Sequence, residues 1–181
     1  MKKLIITLIL LFGFISVSSA QSYMTEEGKA TFHSRVPLHT FSGNSEHLTG
    51  LINLNNNKVD FYIDLTTLET GIEKRDRDMK ETLETEKYPF AEFFGELVSD
   101  FNPDTTAEQS VTVKGEFKIH GVSQEVTIDG TLQMKPEGLF VKASWVLLLE
   151  DYDIVPPSLL FVKVDQEQEI EIEALLKPVE D

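Results

Sequence analysis

The chain has no cysteine among its 181 residues. This absence excludes disulfide-stapled scaffolds, thiolate metal sites and cysteine nucleophiles. Basic residues are also scarce, since 16 Lys and Arg stand against 31 Asp and Glu, for a formal net charge of −15. Binding to nucleic acid or to an anionic membrane surface depends on clustered positive charge, so we expect neither.

Catalytic sequence motifs are missing as well. The segment nearest to a Gly-x-Ser-x-Gly nucleophile turn is Gly121–Glu125, which ends in glutamate instead of glycine. No glycine-rich phosphate-binding loop follows any strand-like run. We therefore predict no catalytic residues and no cofactor.

Groups that could ligate a metal are present, but their spacing is unsuitable. The candidates are two acidic pairs and three histidines: Asp76, Asp78, Asp151, Asp153, His33, His39 and His47. The acidic pairs lack the glycine-bearing loop of a calcium site, and the histidines match no common ligand spacing. We predict no metal site.

The first twenty residues have the three-part organisation of a secretory signal peptide. Met1-Lys2-Lys3 is basic, Leu4–Ile15 is almost entirely apolar, and Ser18 and Ala20 are the small residues that precede a cleavage site. The apolar run is too short to span a bilayer, which takes about 20 residues. We expect cleavage after Ala20, a periplasmic or secreted protein with no stable membrane span, and a single domain over residues 21–181.

Beyond this segment, apolar residues alternate with polar ones, as in antiparallel strands with one buried and one solvated face. In Lys58–Thr67, for example, Val59, Phe61 and Ile63 share one face. Hairpin turns are indicated at 55–57, 120–121 and 135–138. The predicted strands are residues 29–35, 46–54, 58–67, 90–98, 110–119, 122–134, 139–149 and 166–176. Their number and spacing predict an all-β fold, an eight-stranded antiparallel barrel with one short helix.

The helix is predicted over Thr70–Thr85, where alternation stops and helix-forming residues dominate. Thr70 and Glu73 have the spacing of a capping box. A narrow apolar stripe runs along one side, and it consists of Ile72, Met79 and Leu83. Tyr88-Pro89 is expected to separate the helix from the next strand, so the helix would lie across one end of the barrel.

The last strand has glutamate at every second position: Glu167, Glu169, Glu171 and Glu173. This spacing places all four carboxylates on the solvent face of one strand. We interpret them as charges that protect a sheet edge from pairing with another chain.

The barrel interior is predicted to be apolar. Eight strands enclose a space that is either filled by side chains or wide enough for one slim ligand, and the sequence leaves both alternatives open. A hollow interior would select a long hydrocarbon chain by burial, at about 0.8 kcal/mol per methylene group.

Four segments of this chain resemble the YceI-like family of periplasmic, lipocalin-like proteins. They are Ile72–Asp76 (I-E-K-R-D), Lys87–Phe93 (K-Y-P-F-A-E-F), Gly115–Gly121 (G-E-F-K-I-H-G) and Asp151–Pro157 (D-Y-D-I-V-P-P). The resemblance implies a lipocalin-like barrel that binds a long-chain isoprenoid or another amphiphilic lipid without catalysis. The partner would be a hydrophobic or amphiphilic small molecule, and a homodimer is left open.

Under this reading, the ligand-binding residues are inward-facing side chains of the strands together with two polar residues of the helix. Arg75 and Asp76 would contact the head group, although a surface ion pair explains Arg75 equally well. The remaining predicted ligand-binding residues are Phe61, Ile63, Phe117, Ile119, Val126, Ile128, Val141, Trp145, Leu147, Ile170 and Ile172. The alternatives are a stress-related structural or interaction protein with a filled core and no ligand and, less favoured, a hydrolase of lipid esters.

Overall fold

The computed structural model describes residues 22–36, 39–156, 158–159 and 162–179, so the predicted signal peptide lies outside the described residues. Eight long strands close into an antiparallel barrel in the order β1-β10-β7-β6-β5-β4-β3-β2. Their bounds are Ser22–Val36 (β1), His39–Asn53 (β2), Lys58–Asp64 (β3), Phe90–Leu97 (β4), Gln109–Ile119 (β5), Val122–Lys135 (β6), Gly138–Leu148 (β7) and Glu167–Val179 (β10). A small separate hairpin consists of Ser158–Leu159 (β8) and Val162–Lys163 (β9). The predicted eight-stranded antiparallel barrel is confirmed.

Strands β1 and β2 are much longer than the predicted segments 29–35 and 46–54. The pairing of β1 with β2 shifts register between Thr25 and Gly28 and again between Gly28 and Ala30. A bulge interrupts the two-residue alternation, so the first part of β1 carries no clear strand signal. The hairpin β8–β9 was not predicted either.

The helix α1 comprises Glu73–Thr82 and is shorter than the predicted Thr70–Thr85. The predicted capping box is wrong, because the N-cap is Ile72 and it makes no side-chain capping bond. Thr70 instead donates to Asp76, through its backbone N at 2.7 Å and its Oγ1 at 2.5 Å. One member of the predicted apolar stripe, Ile72, is 49% exposed, whereas Met79 and Leu83 pack against the core.

The glutamates of β10 are exposed as predicted, but their interpretation as edge protection is wrong. In the closed barrel β10 pairs with β1 on one side and with β7 on the other. Strand β10 therefore has no free edge. Glu169 and Glu171 are exposed to water because alternate side chains of a barrel strand point outward.

The connections of the barrel define two different ends. Helix α1 lies in the connection between β3 and β4, and the β5–β6 turn lies at the same end, which we call the helix end. His120 and Gly121 form this turn with φ of 55° and 77°, as a tight hairpin turn requires. At the opposite end, which we call the closed end, Leu139 and Leu176 are completely buried.

Candidate functional site

A cavity of about 1030 Å³ occupies the barrel interior. All eight barrel strands contribute lining residues, and most of the lining side chains are apolar. Ligand pockets commonly measure about 300–1,000 Å³, so the volume is sufficient for a drug-sized or larger molecule. The interior is thus hollow, and the alternative of a filled core does not describe this barrel.

Most of the predicted ligand-binding residues lie on the cavity wall. They are Phe61, Ile63, Arg75, Phe117, Ile119, Ile128, Val141, Trp145, Leu147, Ile170 and Ile172. Val126 packs against the core without lining the cavity, and Asp76 does not line it either. Contact between any of these side chains and a ligand stays a prediction.

Glycine residues in the strands make room for part of this cavity. Gly50 pairs with Phe61 across β2 and β3, and a Cβ atom on Gly50 would lie 2.1 Å from the Phe61 ring. The ring therefore folds back over the bare backbone and lies along the wall. A side chain at position 50 would push the ring into the lumen, so this glycine helps to keep the interior open.

An aromatic cluster forms the wall near the helix end. The ring of Phe117 makes edge-to-face contacts with Trp145 and with Tyr152, each at 5.7 Å between ring centres. Such pairs stabilise a fixed arrangement of rings beyond their buried area. Trp145 is the only tryptophan of the chain and lines the cavity, so its fluorescence can report on a bound ligand.

Helix α1 borders the cavity at the helix end. Met79 and Leu83 line the cavity, and so do the charged residues Lys74 and Asp78, which form a salt bridge with each other. The guanidinium of Arg75 stacks on the Phe41 ring at 4.4 Å. Among the described residues Arg75 forms no salt bridge, so its hydrogen-bond donors are available at the rim.

Three of the four resembling segments meet at one point of the helix end. The Nδ1 atom of His120 donates to the carbonyl oxygen of Tyr152 at 3.1 Å, and the edge of the Tyr88 ring packs against the imidazole. Gly121 lies directly under Tyr88, because a Cβ atom there would come within 2.5 Å of the ring. These residues fasten the helix–strand connection to the β5–β6 turn, so their role here is structural.

Asp76 holds the segment before α1 through its two hydrogen bonds from Thr70. Partial desolvation raises the pKa of the Asp76 carboxyl, but the hydrogen bonds from Thr70, together with the charges of Lys80 and Arg75, outweigh it and leave the pKa below its ordinary value. A lowered pKa in the folded state stabilises the protein above the unfolded-state pKa, and this contribution is lost as the pH falls through the folded-state pKa.

We therefore expect Asp76→Ala to reduce the free energy of unfolding by about 1 kcal/mol near neutral pH, because the variant loses the hydrogen bonds that the carboxylate accepts from Thr70. The difference from the wild type should shrink as the pH falls below about 4, the ordinary pKa of an aspartate, because protonated Asp76 contributes little. Urea unfolding over this range measures it. Asp78→Ala is the matched control, since its exposed pair with Lys74 is worth only a few tenths of a kcal/mol. A difference that grows in acid would contradict this assignment.

Two further properties of the described residues bear on function. No group of three or more His, Cys, Asp or Glu side chains among them could hold a metal ion. None of the helices in this part of the chain combines the length and the apolar character needed to cross a membrane.

Solved structures with this fold are similar to the chain at low sequence identity. A polyisoprenoid-binding domain from Saccharophagus degradans, described as implicated in plant cell wall breakdown, has a TM-score of 0.73 at 16% identity, covering 89% of this chain and 100% of that domain. BcnA of Burkholderia cenocepacia gives 0.67 at 13% identity, covering 81% of this chain and 94% of BcnA. The YceI protein of Campylobacter jejuni has a TM-score of 0.57 at 13% identity, covering 99% of this chain and 100% of that protein. At these identities the similarity shows a shared fold.

No curated protein matches the chain. The sequence model of the YceI-like domain matches residues 17–176, which is most of the chain. This match includes all four resembling segments and nearly the whole barrel. The chain therefore belongs to the YceI-like family.

Proposed function

We propose that this protein binds one molecule of a long-chain isoprenoid or another amphiphilic lipid in its barrel and does so without catalysis. The observation that carries the proposal is the hollow apolar interior of about 1030 Å³. The polyisoprenoid-binding domain of Saccharophagus degradans, which has a similar fold, supports this class of ligand.

Burial of hydrocarbon supplies the binding energy in this proposal. Each methylene group moved from water into the cavity contributes about 0.8 kcal/mol. This force has no direction, so the cavity selects by length and shape. In this proposal the protein acts as a carrier, because the wall offers mainly apolar contact.

We also propose that the protein acts after export. The signal peptide predicted at residues 1–20 supports a periplasmic or secreted location. N-terminal sequencing of the protein from an exporting bacterial host tests this location. A chain that begins at Gln21 supports it, and a chain that keeps residues 1–20 in the soluble cytoplasmic fraction contradicts it.

A titration with polyprenols of increasing length tests the proposed function. Quenching or enhancement of Trp145 fluorescence reports binding, and Trp145→Phe is the control for signal from other sources. The affinity should rise with each added isoprene unit and then level off when the lumen is full. An affinity that is independent of chain length, or the absence of binding, would contradict the proposal.

A further inference from the structure

Two of the residues that line the lumen are both polar and buried. Ser34 lies on β1 with the same inward parity as Ala30 and Phe32, and its residue is only 1% exposed. Gln168 lies on β10 with the parity of Ile170 and is 7% exposed. Both residues line the cavity. The Ser34 hydroxyl is almost completely covered while the lumen is empty, so bonding to a ligand requires this side chain to rotate toward the lumen.

The two side chains are neighbours at the helix end. In the antiparallel pairing of β1 with β10, His33 lies opposite Glu169. The next pair in the same register is therefore Ser34 opposite Gln168. Both positions are close to the end of β1 and the start of β10, at the same end of the barrel as α1. A group bound between them would lie just inside the helix end, with the apolar lumen extending from there to the closed end.

The hydroxyl of Ser34 has no hydrogen-bond partner among the described residues, although it is buried. An unsatisfied buried polar group destabilises the folded protein, because it gives up its hydrogen bonds to water and gains none in exchange. Serine at this position therefore lowers the stability of the empty protein relative to alanine. A ligand atom that pairs with the hydroxyl would recover this cost.

The side chain of Gln168 is held in place by a hydrogen bond to the backbone. Its Nε2 donates to the carbonyl oxygen of Asp165 at 2.7 Å, while the backbone N of Asp165 donates to the carbonyl oxygen of Arg35 at 2.9 Å. These bonds fix the amide against the end of β1. In the part of the chain that the structure describes, no group donates to Gln168 Oε1, which leaves this oxygen as an acceptor.

We propose that Ser34 and Gln168 form a polar subsite for the hydroxyl group of an uncharged amphiphile, an alcohol or phenol at the end of an apolar chain. This inference rests on the proposed lipid-binding function. A ligand hydroxyl both donates and accepts, so it can donate to Gln168 Oε1 and accept from Ser34 Oγ. A phosphate or carboxylate fits this pair less well, because it would face the acceptor oxygen of Gln168.

The test uses Ser34→Ala with two probes that differ only in the head group. They are geranylgeraniol and the hydrocarbon in which a hydrogen atom replaces its hydroxyl group, and Trp145 fluorescence reports the binding of both. Since the Ser34 hydroxyl makes no bond in the protein, the variant should be at least as stable as the wild type. We expect the affinity for geranylgeraniol to fall about 3- to 10-fold, the equivalent of one neutral hydrogen bond, with the hydrocarbon affinity unchanged.

Two further variants make the result specific. Gln168→Met keeps the length of the side chain and removes the acceptor. It should therefore lower the affinity for geranylgeraniol and leave the affinity for the hydrocarbon unchanged. Ser45→Ala is the matched control, because Ser45 is also buried but bonds to Thr67 Oγ1 outside the cavity lining. It should change neither affinity.

The outcomes separate this inference from the proposed function. If wild type and Ser34→Ala bind geranylgeraniol equally well, the subsite is overturned and the proposed function stands. If Ser34→Ala weakens both probes equally, the effect arises from shape and the subsite is again overturned. If the wild type binds neither probe, the proposed function fails and the subsite with it.

Discussion

Replacement of Ala143 by tryptophan is expected to weaken isoprenoid binding about 50-fold or more while leaving thermal stability close to that of the wild type. Ala143 lies on β7, pairs with Ile172 on β10 and lines the cavity. An indole projecting from this position would occupy lumen that the ligand chain needs. Each excluded methylene group is worth about 0.8 kcal/mol, so the loss of three accounts for this factor.

The stability part of this prediction depends on the lumen being empty. In a packed core, inserting such a large side chain typically costs about 1–3 kcal/mol or more. In a cavity of about 1030 Å³ the indole has space and gains apolar contact. Differential scanning calorimetry and a Trp145-independent assay, such as displacement of a fluorescent lipid, measure the two effects.

Ser144→Trp is the matched control for Ala143→Trp. Ser144 is the next residue of β7 and faces solvent, so the same substitution there should leave the affinity unchanged. A hollow lumen would be contradicted if Ala143→Trp bound isoprenoid as tightly as the wild type. It would also be contradicted if Ala143→Trp lost much of its stability while Ser144→Trp remained as stable as the wild type.

The second large effect is a contrast between two truncations on β10. Leu176 at the closed end is completely buried and does not line the cavity, whereas Ile172 is partly buried and lines it. We expect Leu176→Ala to lower the free energy of unfolding by about 3 kcal/mol, as the creation of a new cavity in a packed region does. Ile172→Ala should cost only about 1 kcal/mol, because its side chain already lacks neighbours on the lumen side.

Urea unfolding of the ligand-free protein measures both free energies. The two residues lie on the same face of the same strand, so strand propensity and exposure of the backbone are matched. Equal costs for the two truncations would indicate that the barrel is packed throughout its length.

Strands with uninterrupted alternation were predictable from the sequence. In β3, Val59, Phe61 and Ile63 are buried as their spacing predicts, and β7 behaves in the same way from Val141 to Leu147. The full length of the N-terminal strands β1 and β2 was not predictable, because bulges around Gly28 shift the pairing and polar residues fill the first part of β2. The helix start was wrong because Asp76, instead of Glu73, bonds to Thr70.

Most residues of the cavity wall were predictable from the sequence, but the empty volume of the interior was not. Side-chain parity determines which residues face inward, but the remaining volume depends on how strands close and where rings lie. The Phe61 ring lies against Gly50, and only the three-dimensional pairing of β2 with β3 shows this contact. A glycine within a strand was the available sequence signal for such a close approach.

Sequence reasoning also missed the polar pair Ser34 and Gln168. Neither residue was singled out from the sequence, although Ser34 keeps the inward parity of Ala30 and Phe32. A polar residue at an inward position was therefore the signal that could have identified them. Burial and the lack of a partner for Ser34 Oγ emerge only from the folded barrel.

Native mass spectrometry of protein purified without detergent tests the central claim most directly. The barrel is proposed to hold one long apolar molecule, so the folded protein should carry a single additional mass of a lipid that is released on denaturation. Ala143→Trp, purified in the same way, should lack this mass. Wild-type protein that is repeatedly empty, and that takes up no isoprenoid added before the measurement, would contradict the account.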